Sequence, residues 1–561
     1  GAPAGPGGIP RADRSAPIPA SSAQARMWFL DRLNPGNLAY NNANFINLRG
    51  NVVVAAVTAT VQRIVQRHEA LRTGFVEQDG EPMLHIAPSV DMPVPVVDLT
   101  HLSQPQAETK LKRLARELRD KPYDLAQPPL CRFTLVKLSE EHFVLIYGVH
   151  HIVSDRWSLQ VLVSEFSALY DAIRSGRIGA LPELAVQYAD FAAWQRQELS
   201  GQKLKEKLAP WRSMLEPLPQ PFDLPFSRPR PAVQTTNGAQ HSDFLPKETA
   251  DRVRALAGSW SMTPFTLHLA AFFTLLYRHT RRTDMVVGVP VAGRVHPDVE
   301  KLIGLFVNTL PVRGRIDRDA TIKSLASQLR VAMMQSLSQQ DVPFEKLVQE
   351  LKVPRDRSRT PLMTVMLNYH NVPVQMPSPQ NIDLTVTDTA GTRSKLDLTL
   401  TLRDEPQGLL TDYEYNSDLF EASSIESFAS EYLAVLEAIL ASPEATIQEL
   451  AGEQTAAEPA PDTPRAAAVP DTELGPCLHE LVERQVELTP DAVAVIAGDV
   501  TLTYAQLNER AQTLATHLRR RGVEPDSLVG LHMKRGAEMV VGLLGILKAG
   551  AVMVPLSVLL R

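Results

Sequence analysis

The stretch Phe143-Val144-Leu145-Ile146-Tyr147-Gly148-Val149-His150-His151-Ile152-Val153-Ser154-Asp155-Arg156-Trp157-Ser158 decides the fold. Its first five residues form an apolar, β-prone run. Behind it, Leu159, Leu162, Val163, Phe166, Leu169, Tyr170 and Ile173 recur with helical spacing. A strand therefore carries two adjacent histidines and a carboxylate into a turn, and a helix leaves just after them. Asp155 stands where a side chain can cap that helix. A neutral imidazole at such a turn can orient or deprotonate an amine attacking an activated carbonyl, so the pattern suits acyl transfer.

Outward from this stretch the chain alternates helical and strand patterns. Ser21 or Ser22 can cap a helix carrying Met27, Trp28, Leu30 and Leu33. A second helix is expected over 54–72, and another over Tyr188–Gln195. The passage 217–231, with prolines at 217, 219, 221, 225, 229 and 231, breaks regular structure and can join two lobes. Beyond it a helix is expected over Pro264–His279, a buried strand over Met285–Val289, and long helices over 319–336 and 423–441. Ile382, Leu384 and Val386 alternate, as do Leu396, Leu398, Leu400 and Leu402, the period of half-buried strands. Residues 1–19 read as a flexible Pro/Gly-rich lead-in, and 453–473, rich in Ala, Pro, Glu and Thr, as a linker. The expected units are thus 20–215, 216–452 and a third over 474–561, with an α/β fold throughout.

At 561 residues the chain is too long for one ordinary core. Hydrophobic content of 44% against 21% charged residues is that of a globular protein rather than a disordered one. The net charge of −6 is spread along the chain, with no basic stripe for nucleic acid and no apolar run of membrane-spanning length. Cys131 and Cys477 fall in different expected units, which argues against a disulfide or a cysteine metal site. No secretory signal opens the sequence, and the cytoplasm is the expected compartment.

Seven strings, in this order, carry a resemblance: Ser21–Leu30; Arg67-His68-Glu69-Ala70-Leu71-Arg72-Thr73-Gly74-Phe75; His150-His151 through Asp155; Tyr188-Ala189-Asp190-Phe191 through Gln195; Ile303-Gly304-Leu305-Phe306-Val307-Asn308 through Arg313; Asp341–Glu345; and Arg355–Leu362. Together they resemble the condensation domain of nonribosomal peptide synthetases. Leu502–Leu507 and Leu547–Leu556 resemble the first motifs of the adenylation domain that follows it, with Met553 and Ser557 departing from the usual residues.

The resemblance implies two chloramphenicol-acetyltransferase-like lobes in a V-shaped pseudo-dimer with a central tunnel, and a partial α/β adenylation subdomain. That last stretch lacks the family's later ATP-binding motifs and is expected not to activate an amino acid by itself. The implied activity is amide-bond formation between substrates held as thioesters on the 4'-phosphopantetheine arms of an upstream and a downstream carrier protein. No metal or directly bound cofactor is implied. His151 is the implied catalytic imidazole and His150 its loop-fixing neighbour. Asp155 and Arg294 form an implied structural pair, and Arg156, Trp157, Ser158 and Asn308 are implied to lie near the tunnel. Arg26, Arg67 and Arg72 are expected in packing or ion pairs.

Arg156 departs from the pattern HHxxxDG, which has glycine there; an arginine can project outward, pair locally or narrow the tunnel. Gln339 stands where the family usually has His or Asn. A non-catalytic relative that docks carriers or a tailoring enzyme is the competing reading, and Arg156 is the feature that favours it.

Overall fold

The computed structural model describes residues 8–177, 181–354, 356–370, 377–389, 393–452, 477–498, 500–533 and 536–555. The expected linker 453–473, residues 1–7, Arg355 and Ser557 lie outside the described residues. The chain divides into two compact units, one to Ala457 and one from Glu458.

The larger unit is built on two large sheets and also holds a small three-stranded one of Ile18–Pro19, Glu81–Ile86 and Thr73–Gln78. Its first half supplies β1 (Asn41–Gly50), β2 (Val96–Asp98), β3 (Cys131–Ser139) and β4 (His142–His150). Its second half supplies β5 (Gly238–Pro246), β6 (Asp284–Val291), β7 (Asn308–Arg315), β8 (Val365–His370), β9 (Ile382–Asp388), β10 (Leu398–Glu405) and β11 (Gly408–Asn416). The first sheet runs β9-β1-β4-β3-β2 and the second β7-β6-β8-β10-β11-β5. Within the second sheet β6, β8 and β10 are parallel neighbours, which requires crossover connections rather than hairpins.

Each sheet has its own core. Helices α1 (Ser22–Leu33), α2 (Val54–Arg67) and α3 (Arg156–Arg174) belong to the first half. Val57, Val61 and Val65 of α2 and Phe166 and Tyr170 of α3 pack with Ile46, Leu48, Leu145 and Tyr147 of the first sheet. Later come α4 (Tyr188–Glu198), α5 (Gly201–Leu215), α6 (Pro264–Thr280), α7 (Ile322–Ser338) and α8 (Phe344–Glu350), then α9 (Ala422–Ala441). The alternating Leu398, Leu400 and Leu402 are wholly buried in the second core, beside Phe272 of α6 and Phe428 and Tyr432 of α9. No helix among the described residues is long and apolar enough to cross a membrane.

Four features differ from the sequence reading. Residues 8–19, expected as a flexible lead-in, are held to the body. Ile9 is buried and its N–H donates to Asp298, Arg14 pairs with Asp190 (2.6 Å) and Glu69 (2.8 Å), and Ile18–Pro19 adds a short strand beside Met83–Leu84. The helix expected over 54–72 ends at Arg67. His68 leaves the helical backbone because its buried ring bonds Glu165 of α3 (2.8 Å), and Glu69–Arg72 continues as a tight turn. Strand β9, late in sequence, pairs along β1 in the first sheet. Helix α5 places Leu204, Leu208, Trp211 and Leu215 against Val286, Leu310 and Phe344 of the second half. Sequence order and spatial lobe therefore part company at two elements.

The smaller unit has helices Leu478–Leu488, Tyr504–Arg520 and Ala537–Lys548, an antiparallel pair Val493–Ala497 with Val500–Thr503, and a parallel pair Leu528–Leu531 with Val552–Pro555. These follow the sequence pattern closely. Thr503 caps the middle helix with a reciprocal Gln506 bond, which explains the sharp strand-to-helix change there.

Candidate functional site

The two histidines lie at the exit of a buried strand. β4 is central in the first sheet, so its end is fixed on both sides: His150 sits opposite Asn41 of β1 and donates its N–H to Leu130 (2.9 Å). The N–H of His151 then bonds the carbonyl of Tyr40 (2.8 Å) as the chain turns. These bonds fix the backbone from which both rings project.

The rings are held in opposite tautomers. Nδ1 of His150 accepts from the N–H of Ile152 (3.1 Å), so its proton resides on Nε2. Nδ1 of His151 lies 2.7 Å from the carbonyl of Ser154, which can only accept. His151 must carry its proton on Nδ1, leaving Nε2 as a free acceptor. Burial pushes His150 down to about 3, with lesser contributions from the positive charges of His151 and Lys395. Burial first and Lys395 second push His151 down to about 4, against the Ser154 bond and Asp155, which favour the imidazolium. At neutral pH both rings are uncharged.

These shifts also predict an acid sensitivity. His268 of α6, buried against the hydroxyl of Tyr432 (2.9 Å), is likewise pushed down to about 4 by burial. A histidine depressed on folding stays neutral in the native state while the unfolded chain protonates from about pH 6.5 downward. Stability therefore falls as pH drops from about 6.5 toward 4, and this contribution levels off below the folded value. His268→Gln is expected to flatten the fall of the urea midpoint between about pH 6.5 and 5; an unchanged slope would remove His268 as a contributor.

Asp155 caps α3, as its position suggested, and does more. Oδ1 accepts from the N–H (2.8 Å) and the hydroxyl (2.6 Å) of Ser158 and from Arg294 (3.2 Å). Oδ2 accepts from the N–H groups of Phe306 (2.9 Å) and Val307 (3.2 Å). Arg294 is buried, donates also to the carbonyls of Val299 and Leu302, and stacks on Phe306 at 4.1 Å. Burial pulls its guanidinium down, and Asp155 opposes that. The motif turn of the first half is thus stapled to the segment 294–307 of the second.

A cavity of about 960 Å³ lies between the two sheets and is lined by His151, Ser154, Asp155 and Arg156 on one side. Lys395, Glu414 and the Arg403–Asp412 pair line it from the second sheet. Arg156 is exposed at the first turn of α3 and forms part of this wall.

Trp157, Ser158 and Asn308, also expected near a tunnel, do not line this cavity, and each has partners of its own. Trp157 turns to the surface and donates its indole N–H to Glu300 (2.9 Å). Ser158 is buried between Asp155 and Gly304, whose N–H donates to its hydroxyl (3.0 Å). Gly304 leaves no room for a side chain, since a Cβ there would lie 1.9 Å from Tyr188. Asn308 braces a loop, donating to Gln340 (2.9 Å) and Val342 (2.8 Å) and accepting from Phe344 (2.9 Å). All three follow from helix geometry or tertiary bonds: α3 turns its second and third residues away from the cavity that its first residue meets. Arg26 pairs with Glu345 (2.8 Å) and Arg67 with Glu165 (3.0 Å), while Arg72 donates to the carbonyl of Ala87.

Sequence reasoning passed over Lys395 and Glu414. Lys395 stands just ahead of the alternating Leu396–Leu402 run, where a charged residue reads as an ordinary strand flank. Among the described residues no group of three or more His, Cys, Asp and Glu side chains is arranged to hold a metal ion.

Comparison with known proteins agrees with this architecture. Residues 15–457 match the condensation domain family, and residues 482–561 match the AMP-binding enzymes. A linear gramicidin synthase of Brevibacillus parabrevis is 38% identical over 551 residues, covering 98% of this chain. The chain spans only 11% of that protein's length. The X-domain in its complex with OxyB from teicoplanin biosynthesis superposes with a TM-score of 0.71 at 26% identity, covering 81% of this chain and 100% of that one. Holo-AB3403, a four-domain nonribosomal peptide synthetase bound to AMP and glycine, matches with a TM-score of 0.69 at 25% identity, over 97% of this chain and 42% of its own. With the histidine turn, the interlobe staple and the paired sheets in place, this chain belongs to the condensation domain family of nonribosomal peptide synthetases, followed by the start of an AMP-binding domain.

Proposed function

We propose that residues 15–457 form an amide bond between two carrier-bound substrates, with His151 as the catalytic base and His150 holding its loop. The upstream carrier presents an acyl, aminoacyl or peptidyl thioester, and the downstream carrier an aminoacyl thioester with a free amine, each on a phosphopantetheine arm. The amine nitrogen attacks the donor carbonyl carbon, the C–N bond forms, the C–S bond breaks and the donor arm leaves as a thiol. Nε2 of His151 takes the proton that the nitrogen sheds and can return it to the departing sulfur. Asp155 and Arg294 act as scaffold, and Arg156 borders the path of the substrates. The two lobes are proposed as 20–215 and 216–452, with β9 and α5 exchanged in space.

One observation carries this reading. The bond from Nδ1 of His151 to Ser154 leaves Nε2 unprotonated on a residue that lines the cavity between the sheets. A thioester is already activated, so most of the barrier reduction falls to holding the two arms end to end, about 7–11 kcal/mol.

The test mixes this chain with loaded upstream and downstream carriers and reads carrier-bound products by mass spectrometry. The expected result is transfer of the donor acyl group onto the downstream aminoacyl arm. Two loaded carriers that stay unchanged would overturn the assignment. They would favour a second reading, a condensation-like domain that docks carriers or a tailoring enzyme. That reading draws on Arg156 in place of glycine and on the likeness to an X-domain whose structure was solved together with OxyB.

A further inference from the structure

The wall of the cavity supplied by the second half carries two opposite charges with no place in the chemistry above. Lys395, just ahead of β10, and Glu414 of β11 both line the cavity. The Lys395 ammonium stands over the ring of Tyr40, 5.4 Å from its centroid. The carbonyl of the same Tyr40 receives the N–H of His151 at 2.8 Å. One residue therefore touches both the lysine and the histidine turn, although the two come from distant parts of the sequence.

We propose that Lys395, balanced by Glu414, is a positioning residue for condensation: a fixed positive charge on the wall facing His151 that excludes a second cation from the reacting end of the cavity. The proposal rests on the condensation reading. Proton transfer from the attacking nitrogen to Nε2 requires an uncharged amine and an uncharged imidazole. A neighbouring ammonium disfavours the charged form of both.

Other charged groups line the same cavity, and Lys395 is the cationic side chain among them that bears on the His151 ring. Asp155 attracts a cation, but its oxygens are committed to Arg294, Ser158 and the backbone of Phe306 and Val307. His150 is a neutral neighbour. Arg156 opens α3 beside the turn, Arg119 of the first half and Arg393 and His370 of the second line the same cavity, and Arg403 is paired with Asp412, with Glu405 nearby on β10. Burial depresses the Lys395 ammonium and raises the Glu414 carboxyl, and each opposes the shift in the other.

The experiment follows His151 by histidine-selective NMR titration of the full chain, assigned by comparison with His151→Ala. It is read beside the pH profile of single-turnover condensation with loaded carriers. In Lys395→Met the His151 midpoint, about 4 in the parent, is expected to rise by on the order of one pH unit, and the acid limb of the rate profile moves with it. Lys395→Arg leaves both in place, and Glu414→Gln leaves the midpoint at or below the parent value. A purely structural lysine would lower the rate without moving either midpoint, and that result overturns the proposal. So does a rise in both Lys395→Met and Glu414→Gln. If the parent chain makes no amide, the condensation reading fails instead, while the NMR midpoints still decide whether Lys395 governs the charge on His151.

Discussion

On the proposed function, replacing His151 with alanine is expected to lower single-turnover amide formation between loaded carriers by roughly 10²-fold or more. The ring is the one with a free acceptor nitrogen on the cavity wall, held by its backbone bond to Tyr40 and its side-chain bond to Ser154. Loss of that side chain removes a hydrogen bond worth about 0.5–1.5 kcal/mol, so the urea midpoint shifts little. Residual turnover is expected, because proximity of the two thioester arms survives the substitution. Rapid-quench analysis of carrier-bound product checks this. Parent rates in His151→Ala would remove the imidazole from the mechanism and leave positioning as the whole of catalysis.

Asp155→Ala carries the largest expected effect on stability. The carboxylate accepts five hydrogen bonds, and three of its donor groups, on Arg294, Phe306 and Val307, come from the other half of the fold. Its removal leaves the buried Arg294 guanidinium without a counter-charge, and breaking a buried pair from one side costs about 3–5 kcal/mol. The urea midpoint is expected to fall accordingly. The double variant Asp155→Leu with Arg294→Met recovers part of the loss, since removing both charges relieves the desolvation cost. A fall in Asp155→Ala no larger than that of a surface carboxylate would show that the two halves are held together elsewhere. Condensation should decline in the same variant, because the turn bearing His151 is anchored through this residue.

How legible the site was depends on the range of the interactions that make it. The strand–turn–helix around His150 and His151 was readable because an apolar run, a cap and a helical period are all local. Helix α2 reads too long in sequence because its stop signal is no local breaker: His68 leaves the helix for a bond to Glu165 on a different helix. Residues 8–19 look like a solvated leader by composition, yet Ile9 and Arg14 are fixed by partners far along the chain. The resemblance implies Trp157 and Ser158 near the tunnel; the turn of α3 gives Trp157 a surface position and Ser158 a place in the staple, contacts that no local pattern announces.

By itself the sequence determined the alternation of strands and helices, the histidine turn, the cap at Asp155 and the likeness to condensation domains, all of which rest on neighbours within a few residues. Only the tertiary structure decided that β9 completes the sheet bearing the histidines, that the backbone of Phe306 and Val307 joins the implied partner Arg294 in holding Asp155, and that Lys395 and Glu414 line the same cavity as His151. Those facts depend on which distant surfaces bury one another, and a one-dimensional period carries the face of an element but not the identity of its partner.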